Sequence, residues 1–338
     1  MVYDVAQVSP LQPARKLSAR LGAPVWLKRE DAQPVHSFKL RGAYNRIARL
    51  SPSQRESGVV AASAGNHAQG VALAGQTLGI RTTIVMPETT PSIKVDAVRA
   101  LGAEVVLIGD AYDDALAHAM TLVEQRGQTF IHPYDDPWVM AGQGTVAREL
   151  LDQHSDPIAR VYIPVGGGGL VGGMAAYLKQ RRPEIEVVAV EPVDSACLHH
   201  ALAAGERVVL DQVGLFADGV AVRQIGAYPY AVARRCVDRT VQVSIDEICA
   251  AMRAVFEAVK LNGYVVFAAC HGKEQTVLHR HDRIVTGKEN KRRRGVGIDI
   301  QFIGELLALL LSVTFTQEIV TRTHVRELRE ADHRVTHE

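Results

Sequence analysis

Residues 161–180 read VYIPVGGGGLVGGMAAYLKQ. A strand-like run, Val161 to Val165, passes into four consecutive glycines, Gly166 to Gly169, and then into a helix-like segment. Strand, glycine turn and helix form the unit from which doubly wound α/β proteins are built. Glycine lacks a Cβ, so its backbone N–H groups can converge on one anion in conformations other residues avoid. The helix start that follows adds partial positive charge. One or two glycines would satisfy a tight turn; four in a row favour a phosphate site. No GK[ST] follows, which excludes a Walker A loop. Gly167, Gly169 and Gly172 also fit GxGxxG, with Glu191 ending the next strand. On this stretch alone, an NAD-binding dehydrogenase stays open.

Outward from it, short apolar runs alternate with helical patterns. Val25 to Leu27, Gly58 to Ala62, Thr82 to Met86, Glu104 to Ile108 and Thr129 to His132 read as strands or extended segments. Arg160 to Val165 and Glu186 to Glu191 read likewise. Helices are expected over Lys39 to Leu50, Asn66 to Leu78, Lys94 to Ala100 and Asp113 to Gln125. The alternation predicts an α/β protein with two doubly wound lobes and parallel sheets.

Two stretches weigh against the dehydrogenase. Ser63-Ala64-Gly65-Asn66-His67 follows a strand-like run and opens a helix. Small residues and free N–H groups there suit a carboxylate, and Asn66 can donate to a phenolic oxygen. A plain N-cap by Ser63 or Asn66 is the ordinary alternative. In HSFKLRGA, residues 36–43, Lys39 sits close to a helix start, where the dipole favours the neutral amine that covalent carbonyl chemistry requires. Alone, such a lysine is surface decoration. Together the three stretches supply a phosphate cradle, an amine and a carboxylate site. Pyridoxal 5′-phosphate (PLP) has a phosphate and an aldehyde, and an amino acid brings the carboxylate.

The 338 residues carry a net charge of +1, so no overall field draws the chain to nucleic acid or a membrane surface. Cys197, Cys236, Cys249 and Cys270 lie far apart without a CxxC pair, against a zinc knuckle or disulfide framework and in favour of a reducing compartment. The first twenty residues have no apolar core of a secretory signal, and the apolar run Phe302 to Phe315 is too short to span a membrane. A cytoplasmic protein is expected.

Longer motifs carry a resemblance. Residues 28–43 (KREDAQPVHSFKLRGA), 63–72 (SAGNHAQGVA), 84–87 (IVMP), 94–105 (KVDAVRALGAEV), 141–145 (AGQGT), 164–170 (PVGGGGL), 190–198 (VEPVDSACL) and 214–222 (GLFADGVAV) resemble the biosynthetic threonine dehydratases of the fold type II PLP enzymes. The similarity runs from about residue 5 to 256. It implies a tryptophan synthase β-like fold with a larger PLP-binding domain, 1–57 and 143–257, and a smaller mobile domain, 58–142. It implies that Lys39 binds PLP covalently with Phe38 packed near the ring. Gly166, Gly167, Gly168, Gly169 and Leu170 would bind the 5′-phosphate through backbone N–H groups. Asn66 would donate to the pyridine 3′-oxygen, and Gly219 would lie beside the ring. Ser63, Ala64, Gly65, Asn66 and His67 would hold the substrate carboxylate. The implied activity is conversion of L-threonine to 2-oxobutanoate and ammonia, opening isoleucine synthesis, with L-serine as a side substrate. The implied assembly is a homo-oligomer. Related serine racemases place a divalent ion at an acid corresponding to Glu191 and an aspartate six residues on; Cys197 stands there, so no metal is expected.

The chain departs from the family near Val259. All fourteen prolines lie at or before Pro229, and the end is rich in His and Arg, with KENKRRRG over 288–295. The EPSGA segment and the serine-glycine-asparagine motif that faces the pyridine nitrogen are missing. The expectation is an atypical tail over 258–338, from a frame shift or a divergent C-terminus, and a larger sheet left incomplete. The alternative product is a PLP-binding protein that turns over little.

Overall fold

A computed structural model describes residues 2–214, 216–259 and 265–270; for 256–259 and 265–270 the backbone alone is described. The chain opens with β1 (Leu11–Pro13), α1 (Arg15–Leu21) and β2 (Val25–Arg29), followed by α2 (Lys39–Ile47) and α3 (Pro52–Ser57). Then come β3 (Val59–Ala62), α4 (Asn66–Leu78), β4 (Thr82–Met86), α5 (Ser92–Ala100), β5 (Glu104–Leu107), α6 (Tyr112–Arg126) and β6 (Thr129–Phe130). The rest is α7 (Pro137–Gln153), β7 (Ile158–Pro164), α8 (Gly169–Arg181), β8 (Glu186–Pro192), α9 (Cys197–Ala204), α10 (Ala227–Cys236), β9 (Arg239–Val243), α11 (Ile245–Val259) and β10 (Val265–Cys270).

The strands form two sheets. One is fully parallel in the order β5-β4-β3-β6. Val59, Ala61, Ile84 and Met86 bury one of its faces with residues of α2, α4 and α5, while Val60, Ala62 and Val85 pack on Ala115, Ala119 and Leu122 of α6. The other has six strands in the order β1-β2-β10-β7-β8-β9. Val187, Val188, Ala189 and Val190 of β8 are all fully buried, two towards α7 and α8 and two towards α1 and α11. Burial on both faces explains why β7 and β8 read as continuous apolar runs rather than alternating ones. Each fully buried valine contributes on the order of 1.5–3 kcal/mol.

The parallel sheets expected from the alternation are present, and the larger one also holds antiparallel strands. The six-stranded sheet is parallel only along β7-β8-β9; β2 pairs antiparallel with β1 and β10, and β10 antiparallel with β7. One strand of that sheet comes from the expected tail. The apolar run Val265–Cys270 fills the gap between β2 and β7, because a six-residue extended stretch can donate and accept on both edges. The rest of the expected tail, 260–264 and 271–338, lies outside the described residues.

Helices α4, α2, α7 and α8 meet backbone to backbone. A Cβ on Gly70 of α4 would stand 2.9 Å from Leu40 N. One on Gly142 of α7 would stand 2.5 Å from Arg41 O, and one on Gly144 would stand 2.9 Å from Gly173 O of α8. These contacts fix where the N-termini of α2, α4 and α8 lie. The 142/143 position falls within α7, at its contact with α2.

Candidate active site

Lys39 is the first residue of α2; the N-cap, Phe38, makes no side-chain cap, and Lys39 N donates to Ser37 Oγ at 3.2 Å. The side chain keeps some exposed surface, but its amine is enclosed, and desolvation lowers the pKa from 10.5 to about 8. Nζ donates to the Pro133 carbonyl oxygen at 3.3 Å and lies 5.6 Å from the centre of the buried Phe38 ring. An amine with that pKa is neutral in a usable fraction near pH 7.

The glycine loop meets α8 at Gly168, the N-cap, whose φ of +90° is a left-handed conformation. Gly167 to Leu170 are buried, yet the backbone N–H groups of Gly166, Gly167, Gly168, Gly169 and Leu170 have no hydrogen-bond acceptor among the described residues. Buried N–H groups are almost always paired, so five successive orphans beside a helix N-terminus describe an anion cradle. A Cβ on Gly166 would stand 2.9 Å from Val220 Cα, which places Gly219, exposed in the short turn Asp218–Val220, beside the cradle. The Tyr134 ring covers Gly167, where a Cβ would collide with it.

The start of α4 differs from a simple side-chain cap. Gly65 is the N-cap, and no side chain caps it. Ser63 Oγ instead accepts from Gly65 N at 3.2 Å. The N–H groups of Asn66, His67 and Ala68 are left without acceptors among the described residues, and Ser63 to Asn66 are half-buried. His67 is buried, and its Nε2 lies 2.8 Å from the Ile131 carbonyl oxygen. Desolvation, then the Lys39 charge, pushes its pKa down to about 3, so the ring is neutral. A Cβ on Gly70, in the same helix, would stand 3.1 Å from Lys39 C, so the first turns of α4 and α2 lie side by side.

A profile of the pyridoxal-phosphate dependent enzymes matches residues 2–287. The chain belongs to that family.

Relatives of known function narrow the comparison. The L-threonine dehydratase biosynthetic IlvA of Pasteurella multocida is 60% identical over 259 residues, 77% of this chain and 50% of that protein. The biosynthetic, chloroplastic threonine dehydratase of Arabidopsis thaliana is 54% identical over 256 residues, 76% of this chain and 43% of that protein. The chain thus spans about half the length of the curated relatives it matches. Among solved structures, the processed threonine deaminase isoform 2 of Solanum lycopersicum covers 77% of this chain and 76% of its own at 51% identity, with a TM-score of 0.75. Maize serine racemase covers 77% and 78% at 32% identity, with a TM-score of 0.74.

PLP is the cofactor of this family, and the residues present fit it. The orphaned N–H groups of Gly166 to Leu170 match a phosphate dianion, and the desolvated Lys39 amine matches an aldehyde. The dinucleotide reading is overturned by Glu191. Its side chain is fully buried and turned away from solvent, accepting from Leu198 N and His199 N, both at 2.8 Å, at the start of α9. Buried there, the carboxyl is out of reach of a ribose hydroxyl. Desolvation raises this carboxyl to about 7, against those two donors. Cys197 follows at the first position of α9, and its Sγ lies 3.4 Å from Gly166 O.

Sequence reasoning missed the segment that touches Lys39. Residues 131–136 leave β6 and turn at His132, whose Nδ1 accepts from Tyr134 N at 3.3 Å and Asp135 N at 2.8 Å. Asp136 caps α7 through Trp138 N and Val139 N and pairs with Arg46. The signal was Asp136-Pro137, an N-cap followed by proline at the first helical position. Missed too was the buried cluster under α2: Arg41 bonds Glu30 and Glu149, and Lys28 bonds Glu149.

Proposed function

We propose that the protein is a PLP-dependent ammonia-lyase that converts L-threonine to 2-oxobutanoate and ammonia, and L-serine to pyruvate more slowly. The observation that carries this reading is the enclosed Lys39 amine, with a pKa of about 8, set near two separate arrays of orphaned N–H groups. One array suits a dianionic phosphate and the other a carboxylate; an amino-acid substrate on PLP presents both. Similarity to proteins named threonine dehydratase supports the substrate.

Gly166 to Leu170 would hold the 5′-phosphate through backbone N–H groups, and Lys39 would hold the cofactor covalently, with Phe38 against the ring. Asn66 would donate to the pyridine 3′-oxygen from the first turn of α4. Ser63 to His67 would hold the substrate carboxylate, with the N–H groups of Asn66 and His67, which have no acceptor among the described residues, as its donors. When bound, PLP supplies the aldehyde that takes up the substrate amine and the ring that accommodates the electron pair left at Cα. Lys39, its amine released by the substrate, takes the Cα proton, which its depressed pKa allows near neutrality. Loss of the β-hydroxyl as water, then addition of water and release of ammonia, balances the reaction. The start of α4 and the segment 131–136 enclose the site and exclude bulk water.

The four-stranded sheet and its helices form the smaller mobile domain, 58–142; 1–57 with 143–257 form the larger, PLP-binding one. The protein works in the cytoplasm as a homo-oligomer at the entry to isoleucine synthesis. Among the described residues no helix is long and apolar enough to cross a membrane, in keeping with that location. The test is direct. Protein purified with PLP should be yellow and release 2-oxobutanoate and ammonia from L-threonine. Lys39→Ala should abolish both; a colourless wild-type protein that ignores threonine would reject the proposal.

A further inference from the structure

We propose that Asp135 is a positioning residue for the phosphate cradle: its carboxylate holds the N-terminus of α10 against the glycine loop and so sets the affinity for the cofactor phosphate. This rests on the reading of Gly166–Leu170 as the 5′-phosphate site. Asp135 Oδ2 accepts from Ala227 N at 2.9 Å and Oδ1 from Tyr228 N at 2.8 Å, both in the first turn of α10. Negative charge is favoured at a helix start, so the pairing is charge-assisted.

A helix cap alone would steady α10 and nothing more. Here the capped turn is part of the cradle wall. Gly226 N, the residue before α10, donates to Gly167 O at 3.1 Å. A Cβ on Gly226 would stand 2.8 Å from Asp135 Cγ, so the carboxyl lies flat on that residue. A Cβ on Gly168 would stand 2.7 Å from Pro229 Cβ, in the same first turn. On the opposite side, Tyr134 covers Gly167 and Gly169; a Cβ on Gly169 would stand 3.0 Å from Tyr134 Cα. The glycine loop is thus clasped between the start of α10 and Tyr134, and Asp135 joins the two walls. Release of that clasp lets Gly167 and its neighbours rotate their N–H groups away from a common centre, at the cost of preorganised phosphate binding.

The experiment compares two ligands on the apoprotein: PLP, and pyridoxal, which has the same ring and aldehyde but no phosphate. Asp135→Asn keeps acceptor oxygen but not charge. Ala227→Pro removes one of the two donors at a first helical position that tolerates proline. For Asp135→Asn the expected result is a roughly tenfold loss of PLP affinity. Pyridoxal affinity should be unchanged, and the apoprotein melting temperature should fall by only the few degrees that a weakened helix cap costs. Ala227→Pro should shift PLP affinity in the same direction by less, and it carries the test alone if Asp135→Asn does not fold. Unchanged PLP affinity, or equal losses for both ligands, overturns the role of Asp135. A wild-type protein that binds PLP no better than pyridoxal overturns the cradle itself, a separate and distinguishable failure.

Discussion

Lys39 Nζ lies 3.3 Å from the carbonyl oxygen of Pro133, which holds the amine between the N-terminus of α2 and the segment that leaves β6. A carbonyl accepts more strongly from the charged amine than from the neutral one, so this contact works against the desolvation that lowers the pKa, and desolvation prevails.

The first prediction follows from that pKa. Folding moves the Lys39 value from 10.5 to about 8. Between those values the unfolded chain holds a proton that the folded one lacks, so stability rises with pH across that window. Below it, the enclosed charge is a constant cost. Lys39→Met should therefore raise the melting temperature of the apoprotein at neutral pH by about 2–4 °C per kcal/mol recovered. The gain should vanish as pH approaches 10.5, the unfolded value. Paired thermal melts across pH decide it; a gain independent of pH refutes the assignment.

Glu149 supports the helix that carries the lysine. Burial would raise its pKa, but Arg41 and Lys28 hold it low. Glu149→Ala leaves the fully buried Lys28 without its carboxylate and the buried Arg41 with Glu30 alone. The expected loss is on the order of 3–5 kcal/mol, read as a lower urea midpoint. A loss under about 1 kcal/mol, the scale of an exposed pair, would mean the cluster is hydrated.

Glu191 titrates in the opposite sense. Its folded pKa of about 7 lies above the usual 4.5, so the folded state holds the proton more tightly. The stability this contributes is complete below 4.5 and is lost as pH rises through about 7. Glu191→Gln mimics the protonated form, so wild type should lose stability relative to the variant over that interval. Parallel melting curves for the two proteins would refute it.

Gly168 and Gly205 separate backbone strain from crowding. Both have left-handed φ, +90° and +76°, but a Cβ on Gly205 meets nothing within 4 Å, while one on Gly168 meets Ile225 and Pro229. Gly205→Ala should cost about 1–2 kcal/mol and leave PLP affinity intact. Gly168→Ala should cost more and abolish tight PLP binding. Denaturation and PLP titration of both variants check this; equal effects would show that the cradle tolerates a side chain.

Much of this was legible in the chain itself, for local reasons. Val187 to Val190 announce a strand because burial on two faces demands an unbroken apolar run. Four glycines announce the cradle because few other functions need them in succession. What stayed hidden depends on residues distant in sequence. The carboxylate of Asp135 meets an N–H 92 residues away. The direction of β10 is set by its neighbours β2 and β7, not by its own composition. Glu191 shows the reverse hazard: its spacing fits a ribose partner, but its side chain is buried against the start of α9.

The glycine contacts of α4, α2, α7 and α8 act as a ruler. Where helices touch through Gly70, Gly142, Gly144 and Gly173, no side chain stands between their backbones that a change of rotamer could lengthen or shorten. The distance from the lysine helix to the phosphate helix is therefore set by main-chain thickness alone. A rigid molecule anchored at its aldehyde and at its phosphate needs such a gauge. A single methyl group at Gly142, Gly144 or Gly173 would recalibrate the separation without touching either anchor.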